Sequence, residues 1–205
     1  LAQLAESSSR YDLFVFEHGF RPARPQLADL MTSRFLHAGL LHLLGNLLFL
    51  WIYGDNVEHR LGRLAYLVSY LGTGLAACLV HALFALGSGV PTVGASGAIS
   101  GVLGFYFLFF PHNIVRVFVA LFPFFMDVIQ VRARIVLGFY IVFSNILPFM
   151  VSAGTGGGGV AYGAHIGGFI AGLGAAFLVD RRERTATPRE YRGHRGERDP
   201  RSAER

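Results

Sequence analysis

The sequence has no lysine and few charges of any kind. Only 15% of its 205 residues are charged, whereas 53% are apolar and the mean hydropathy is +0.46. Soluble domains carry about 25% charged residues, so this composition excludes an ordinary soluble domain. The chain is also too short for several domains, and it predicts one membrane-embedded unit.

Cysteine is nearly absent too. Cys78 is the single cysteine and lies in an apolar run, which excludes an internal disulfide or a cysteine-based metal site. No HExxH pattern is present, and on one helix His37 and His42 would point about 140° apart, so they do not predict a metal site. We therefore expect no metal and no cofactor.

Long apolar runs are abundant, and about 20 such residues cross a bilayer as a helix. The runs predict an all-α polytopic membrane protein with about five transmembrane helices, at residues 35–53, 64–86, 92–110, 133–151 and 160–179. The region 114–129 has only a short apolar run with Pro123 inside it. We expect this region to be an interfacial or re-entrant piece.

Arginine placement orients these spans. Arginines follow the first, third and fifth spans, whereas the connections 87–91 and 152–160 carry no charge. The positive-inside rule then predicts extracytoplasmic connections and a cytoplasmic C-terminus. Residues 181–205 are expected to form a disordered, arginine-rich tail beside the membrane that does not bind nucleic acid. Residues 1–34 also carry arginines, an inconsistency, and are expected to form an outer surface loop.

Three of the spans carry polar residues near their outer ends. His42 and Asn46 lie four residues apart on span one, Ser96 begins the apolar part of span three, and His165 lies in span five. Polar side chains in a bilayer usually face a protein interior or a water cavity, so this shared level indicates a site. It suits a hydroxyl nucleophile, an imidazole base and oxyanion donors, acting as a dyad because no carboxylate is at hand.

A purely structural interpretation stays open at this point. Small residues four apart, such as Gly97 with Gly101 and Gly168 with Gly172, let membrane helices pack closely without any chemistry. Taken alone, the stretch "GASG" at residues 94–97 favours this helix-packing interpretation.

Four motifs taken together resemble the rhomboid family of intramembrane serine proteases. They are "HAGLLHLLGN" at 37–46, "GDNVEHRLG" at 54–62, "GASG" at 94–97 and "GAHIGG" at 163–168. The resemblance covers residues 11–180. It implies that Ser96 is the nucleophile, that His165 is the general base, and that His42, Asn46 and the Ser96 backbone N–H form the oxyanion hole.

The resemblance also implies roles for several glycines and the bounds of the membrane domain. Gly94 and Gly97 would let backbone and substrate approach closely, while Gly101, Gly168 and Gly172 would let the histidine helix pack on the serine helix. A rhomboid-like membrane domain is expected over residues 35–180.

Three features depart from the family pattern. Ser100 stands where relatives often carry an aromatic residue against the catalytic imidazole, and "QLADLMTSRF" lacks a Trp-Arg pair common in the outer loop. The family core has six spans, so residues 1–34 would retain in "LAQLAE" only a remnant of a preceding span.

The sequence thus predicts a multi-pass protein of the cell (inner) membrane whose site opens to the extracytoplasmic side. Its expected partners are the lipid bilayer and transmembrane protein substrates, which it would cleave in or near their membrane segments. A non-catalytic rhomboid-like binder of transmembrane helices is the first alternative. A small transporter is the second, although the inner halves of spans three and five offer no polar residues.

Overall fold

The computed structural model of the chain describes residues 9–121, 125–155 and 160–186. Most of these residues are helical, which confirms the predicted helical, polytopic membrane protein, although one two-stranded hairpin makes it not purely α. The helices are α1 Arg10–His18, α2 Asp29–Thr32, α3 Leu40–Leu61, α4 Arg63–Phe84, α5 Ser96–Phe109, α6 Ala133–Ile141, α7 Leu147–Thr155 and α8 Tyr162–Ala186. The predicted remnant at residues 1–6, part of the outer connection at 156–159 and residues 187–205 of the predicted tail lie outside the described residues.

Three helical stretches among the described residues are long and apolar enough to cross a membrane. They are Arg63–Phe84, Ala133–Ser152 and Tyr162–Thr185, and they confirm predicted spans two, four and five. A fourth is counted if Asp29–Phe35 and Leu40–Leu61, which meet at 94°, form one broken span. The predicted number of about five is therefore higher than this count of three to four.

Span one is counted only as that bent pair, and span three is not counted at all. The prediction that this span covers residues 92–110 is wrong, because helix α5 begins only at Ser96 and has 14 residues. At 1.5 Å per residue it is about 21 Å long, shorter than a hydrocarbon core of about 30 Å. All residues from Gly97 to Tyr106 are buried, and α3, α4 and α8 pack around the helix. A helix enclosed by protein on all sides has no need to match the bilayer thickness.

The first span also begins later than predicted. Helix α3 starts at Leu40, after Gly39, so the prediction that the span begins at residue 35 and includes His37 is wrong. The chain bends sharply between the short helical piece ending at Phe35 and α3. At its other end α3 extends to Leu61, and Gly62, with φ of +80°, turns the chain directly into α4.

The outer segment is held by local and long-range hydrogen bonds. Ser9 and Asp12 form a capping box at the start of α1, and the hydrogen bonds from the Ser9 side chain and then its backbone lower the pKa of the Asp12 carboxyl. Further along, Phe20 pairs with Thr92 in an isolated antiparallel bridge. The segment is thereby joined to the loop that leads into α5.

Arg34 accounts for part of the unexpected positive charge in that outer segment. Its side chain is only 4% exposed, and its guanidinium donates to the backbone carbonyls of Leu30 at 2.7 Å and Leu71 at 3.1 Å. An arginine used in this way ties the segment to α4. It does not report which side of the membrane the segment occupies.

The region after α5 is a β-hairpin. Strands β1 Ile114–Leu121 and β2 Phe125–Arg132 pair antiparallel, with Ile114 opposite Arg132 and Leu121 opposite Phe125. The β-branched residues of this region fit a ladder, where backbone groups satisfy one another across strands. The region is therefore not a membrane-spanning helix, as predicted, and its position at the membrane interface stays a prediction. Pro123, between the two strands, lies outside the described residues.

The fourth span is not a uniform α-helix. Between α6 and α7, residues Val142–Ile146 form a π-helical segment in which the Leu147 N–H bonds to the Val142 carbonyl. Pro148 follows at once, cannot donate an N–H to the carbonyl of Ser144 and crowds it. A wider π turn relieves this conflict. It also rotates the side chains of the segment around the helix axis relative to their positions in a regular α-helix.

The C-terminal ends of α3, α5 and α8 meet at one end of the bundle. Arg60 bonds Glu183 at 2.9 Å and Asp180 at 3.4 Å, and its guanidinium lies 3.7 Å from the ring centre of Phe109. These three helices therefore run in the same direction. Helix α8 continues to Ala186, so the first six residues of the predicted disordered tail are helical.

Candidate active site

Ser96 is the first residue of helix α5. The backbone N–H groups in the first turn of a helix have no partner within that helix, so they can face a ligand atom. Gly94, two residues earlier, has φ of +118°, a conformation that side-chain-bearing residues rarely adopt. Glycine at position 94 therefore allows the backbone turn that leads into α5. This turn places the Ser96 hydroxyl at the N-terminal end of the helix.

His165 lies in the first turn of α8, next to Ser96. Its Nε2 is 2.7 Å from the Ser96 hydroxyl oxygen, a hydrogen-bond distance. The helices that carry the two residues are in backbone contact, since a Cβ at Gly168 would overlap the carbonyl oxygen of Gly97 and one at Gly172 that of Gly101. This contact fixes the separation of nucleophile and base candidates across 69 residues of sequence.

His42 and Asn46 lie on the first two turns of α3 and face the same place. The backbone N–H of Ala38 donates to His42 Nδ1 at 3.4 Å, which leaves Nε2 as the protonated nitrogen of a neutral imidazole. Asn46 Nδ2 is buried, and no described residue accepts its hydrogens. A Cβ at Gly94 would lie 3.0 Å from His42 Nε2 and 3.7 Å from Asn46 Nδ2, so the loop before Ser96 passes beside both donors.

The structure brings His37 and His42 closer than the sequence predicted. Their ring centres are 5.3 Å apart in an edge-to-face arrangement, because His37 precedes α3 and is not bound by helical geometry. The expectation that the two side chains point apart is thus wrong. Within the described part of the chain, no group of three or more His, Cys, Asp or Glu residues could hold a metal ion.

A cavity of about 320 Å³ joins these residues. Its polar wall contains Ser96, His165, His42 and Asn46, and its apolar wall is formed by Leu41, Phe49, Ile99, Tyr140 and Val160 together with Gly45. Four side chains from three helices thus share one small space with apolar surroundings. Weak solvent screening in such a space strengthens any hydrogen bond to a developing charge.

Asn145 is a residue of the site that none of the four sequence motifs contains. This residue of the π-helical segment is 1% exposed, and its Oδ1 lies 2.7 Å from His165 Nδ1, on the opposite side of the ring from Ser96. A signal was present, because a lone asparagine inside the apolar run "IVFSNILPFM" is costly in a membrane unless it has a partner. The orienting group of His165 is therefore an amide.

Ser100, at the position where an aromatic residue was expected, is completely buried. Its hydroxyl lies 3.2 Å from the phenolic oxygen of Tyr140, which comes from α6. The aromatic rings that line the cavity, Phe49 and Tyr140, thus belong to α3 and α6 and not to α5. The ring of Tyr140 packs in turn against Phe49, with centroids 5.7 Å apart.

Helices that can cross a membrane, joined by a Ser–His pair with two further donors at one cavity, define a polytopic membrane protein with a candidate hydrolytic site. The Rhomboid domain family matches residues 24–182, more than half of the chain. The chain belongs to the rhomboid family.

Relatives in several organisms share parts of this domain. The chain is 42% identical over 78 residues to Rhomboid-like protein 11, chloroplastic, of Arabidopsis thaliana, covering 38% of this chain and 28% of that protein. It is 41% identical over 75 residues to Rhomboid protease GluP of Bacillus subtilis (strain 168), covering 37% and 14%. With Rhomboid protein 1, mitochondrial, of Saccharomyces cerevisiae it shares 34% over 95 residues, covering 44% and 28%. The matched parts thus span less than a third of the length of each relative.

Proposed function

We propose that this protein is a serine endopeptidase that hydrolyses peptide bonds in or next to transmembrane segments of other membrane proteins. The observation that carries the proposal is the 2.7 Å separation of the Ser96 hydroxyl from His165 Nε2 in a cavity that also holds His42 and Asn46. A serine hydroxyl is a weak nucleophile until a nearby base accepts its proton. The imidazole of His165 is within reach to do so.

In the first half of the reaction, the Ser96 oxygen attacks the carbonyl carbon of the scissile bond while its proton moves to His165 Nε2. The carbonyl oxygen becomes an oxyanion, and the N–H of Ser96, His42 Nε2–H and the Asn46 amide donate hydrogen bonds to it. These donors exist before the reaction begins, so they stabilise the transition state without reorganising.

In the second half, the tetrahedral intermediate collapses and the C–N bond breaks. The protonated His165 gives its proton to the leaving amine, which departs, and an ester links the substrate to Ser96. Water then attacks the ester carbonyl with His165 again accepting a proton, and the Ser96 hydroxyl is restored as the acid product leaves.

The proposed substrate class rests on the family resemblance, and the proposed orientation rests on the position of the cavity along α5. The family resemblance implies substrates with small side chains at the cut and a helix that unwinds readily, because a helical peptide bond is shielded by its own hydrogen bonds. The cavity lies at the end of α5 opposite the charged cluster of Arg60, Asp180 and Glu183. With that cluster on the cytoplasmic side of the cell membrane, the site opens to the extracytoplasmic side.

The packing of α5 argues against the transporter alternative. Beyond the cavity, Phe105, Tyr106 and Phe109 are buried, so apolar side chains fill the continuation of a solute path. A non-catalytic binder of transmembrane helices would use the same fold without needing a reactive serine. Nucleophile reactivity therefore distinguishes the binder from the protease.

The test is labelling of detergent-solubilised protein by a fluorophosphonate probe, with cleavage of a synthetic transmembrane peptide measured in parallel. We expect labelling at Ser96, its complete loss in Ser96→Ala and loss of most of it in His165→Ala. Ser100→Ala is the matched control, because this hydroxyl sits one turn later and pairs with Tyr140. It should keep most of the labelling.

Labelling should also fall as pH is lowered through the titration of the imidazole, because a protonated ring cannot accept the serine proton. Folded wild-type protein that neither labels nor cleaves the peptide would favour the binder. Normal cleavage by folded Ser96→Ala would leave "GASG" as a packing motif and end the protease assignment.

A further inference from the structure

The Asn145 side chain uses the two ends of its amide group in two different hydrogen bonds. Its Nδ2 donates to the backbone carbonyl of Tyr140 at 3.0 Å, and its Oδ1 lies 2.7 Å from His165 Nδ1. The side chain is 1% exposed, so water does not compete for either group. The residue belongs to the π-helical segment Val142–Ile146, which departs from regular α geometry in this span.

The directions of these bonds follow from the Tyr140 carbonyl, which can only accept. It therefore requires the NH₂ group of Asn145, which leaves the amide oxygen facing the imidazole. The flipped amide would place two acceptor oxygens 3.0 Å apart in a buried site. Because an amide oxygen only accepts, His165 Nδ1 carries the hydrogen, and in a neutral ring Nε2 then holds the lone pair that faces Ser96.

From these two hydrogen bonds we infer that Asn145 is a positioning residue that selects the tautomer of His165. In this tautomer Nδ1 carries the hydrogen and Nε2 is free to accept the Ser96 proton. The inference rests on the proposed function for its catalytic consequence. A backbone carbonyl of α6, through Asn145 in the π-helical segment, thus sets which nitrogen of a ring on another helix carries the hydrogen. When the ring becomes an imidazolium, the Nδ1–H bond to Oδ1 becomes charge-assisted and strengthens, which favours proton transfer without a carboxylate.

The direct test is the tautomer of His165, read by long-range ¹H–¹⁵N NMR on histidine-labelled protein in micelles at neutral pH, with His165→Ala for assignment. The variants are Asn145→Leu, which removes both bonds, and Asn145→Asp, which keeps an acceptor for Nδ1 but loses the donor to the Tyr140 carbonyl and is therefore expected to be less stable than the wild type. Ser144→Leu is the matched control, because Ser144 is the exposed neighbour in the same segment. Fluorophosphonate labelling rates across pH provide the second readout.

Wild-type protein and Ser144→Leu should hold His165 in the Nδ1–H form. Asn145→Leu should show a mixture of tautomers and a labelling rate lower by roughly 10- to 100-fold, as expected for losing one buried hydrogen bond to the charged ring. Asn145→Asp should keep the Nδ1–H form, label faster than Asn145→Leu and move the acid limb of its pH profile to higher pH, because a carboxylate favours the imidazolium.

An Nε2–H tautomer in the wild type would overturn the inference. So would an Asn145→Leu protein that keeps both the tautomer and the labelling rate. If Asn145→Leu does not fold, an unshifted acid limb in Asn145→Asp would overturn it instead. The tautomer is measured without turnover, so a wild type that holds the Nδ1–H form but never labels at Ser96 would count against the proposed function alone.

Discussion

Replacing Asn46 by leucine should separate the stability of this protein from its chemistry. Asn46 Nδ2 is buried and has no acceptor among the described residues. An unpaired buried polar group costs about 1–3 kcal/mol of folding free energy, and leucine has a similar size without that group. The free energy of unfolding of Asn46→Leu should therefore stay the same or rise, by up to about 1–3 kcal/mol.

The same substitution should damage catalysis. Asn46 Nδ2 is proposed to donate a hydrogen bond to the oxyanion as charge develops in the transition state. Its removal should therefore lower kcat by roughly 10²–10³ and change KM little. The donors that remain at His42 and Ser96 still stabilise the oxyanion, so the loss in kcat should lie toward the lower end of that range. An unpaired Asn46 amide would lower the stability of the folded protein and raise the rate of catalysis. Such a trade-off between stability and activity is common at active sites.

The assay combines equilibrium unfolding in micelles with kinetics on a synthetic transmembrane peptide. Asn113→Leu is the control, because the Asn113 amide donates to the Tyr106 hydroxyl at 3.1 Å at the far end of α5 from the cavity. This paired asparagine should lose stability and keep kcat. Destabilisation of Asn46→Leu equal to that of the control, or an unchanged kcat, would contradict the role of Asn46 as an unpaired oxyanion donor.

Two further predictions concern packing and orientation. Gly172→Ala should destabilise the protein by about 1–3 kcal/mol, since its Cβ would overlap the backbone of α5, whereas Gly174→Ala, with open space around it, should be neutral or stabilising by up to about 1 kcal/mol. Thermal unfolding of the pair checks this, and equal effects would contradict the backbone contact. In a Cys78→Ser background, an impermeant maleimide should label Gly89→Cys on intact cells and Arg63→Cys only after permeabilisation. The reverse pattern would contradict the proposed orientation.

Local composition was sufficient to predict the helical membrane architecture. Hydropathy over about 20 residues identifies a span wherever lipid contact demands apolar side chains, and spans two, four and five are confirmed on that basis. The order and spacing of the motifs around His42, Asn46, Ser96 and His165 singled out the residues that the fold gathers at one cavity. Motifs of this kind are contiguous in sequence, so they can be identified before the fold is known.

Tertiary structure decided the features that depend on partners distant in the chain. Hydropathy does not reveal that α5 is enclosed by other helices and can therefore be short, nor that His37 lies off the helix and meets His42. Asn145 is the clearest case, because its facing is set by a π turn and its partner His165 lies 20 residues away. An asparagine in an apolar run has the same local sequence whether it faces lipid or a base. Only the packing of the π-helical segment and α7 against α8 determines which one it meets.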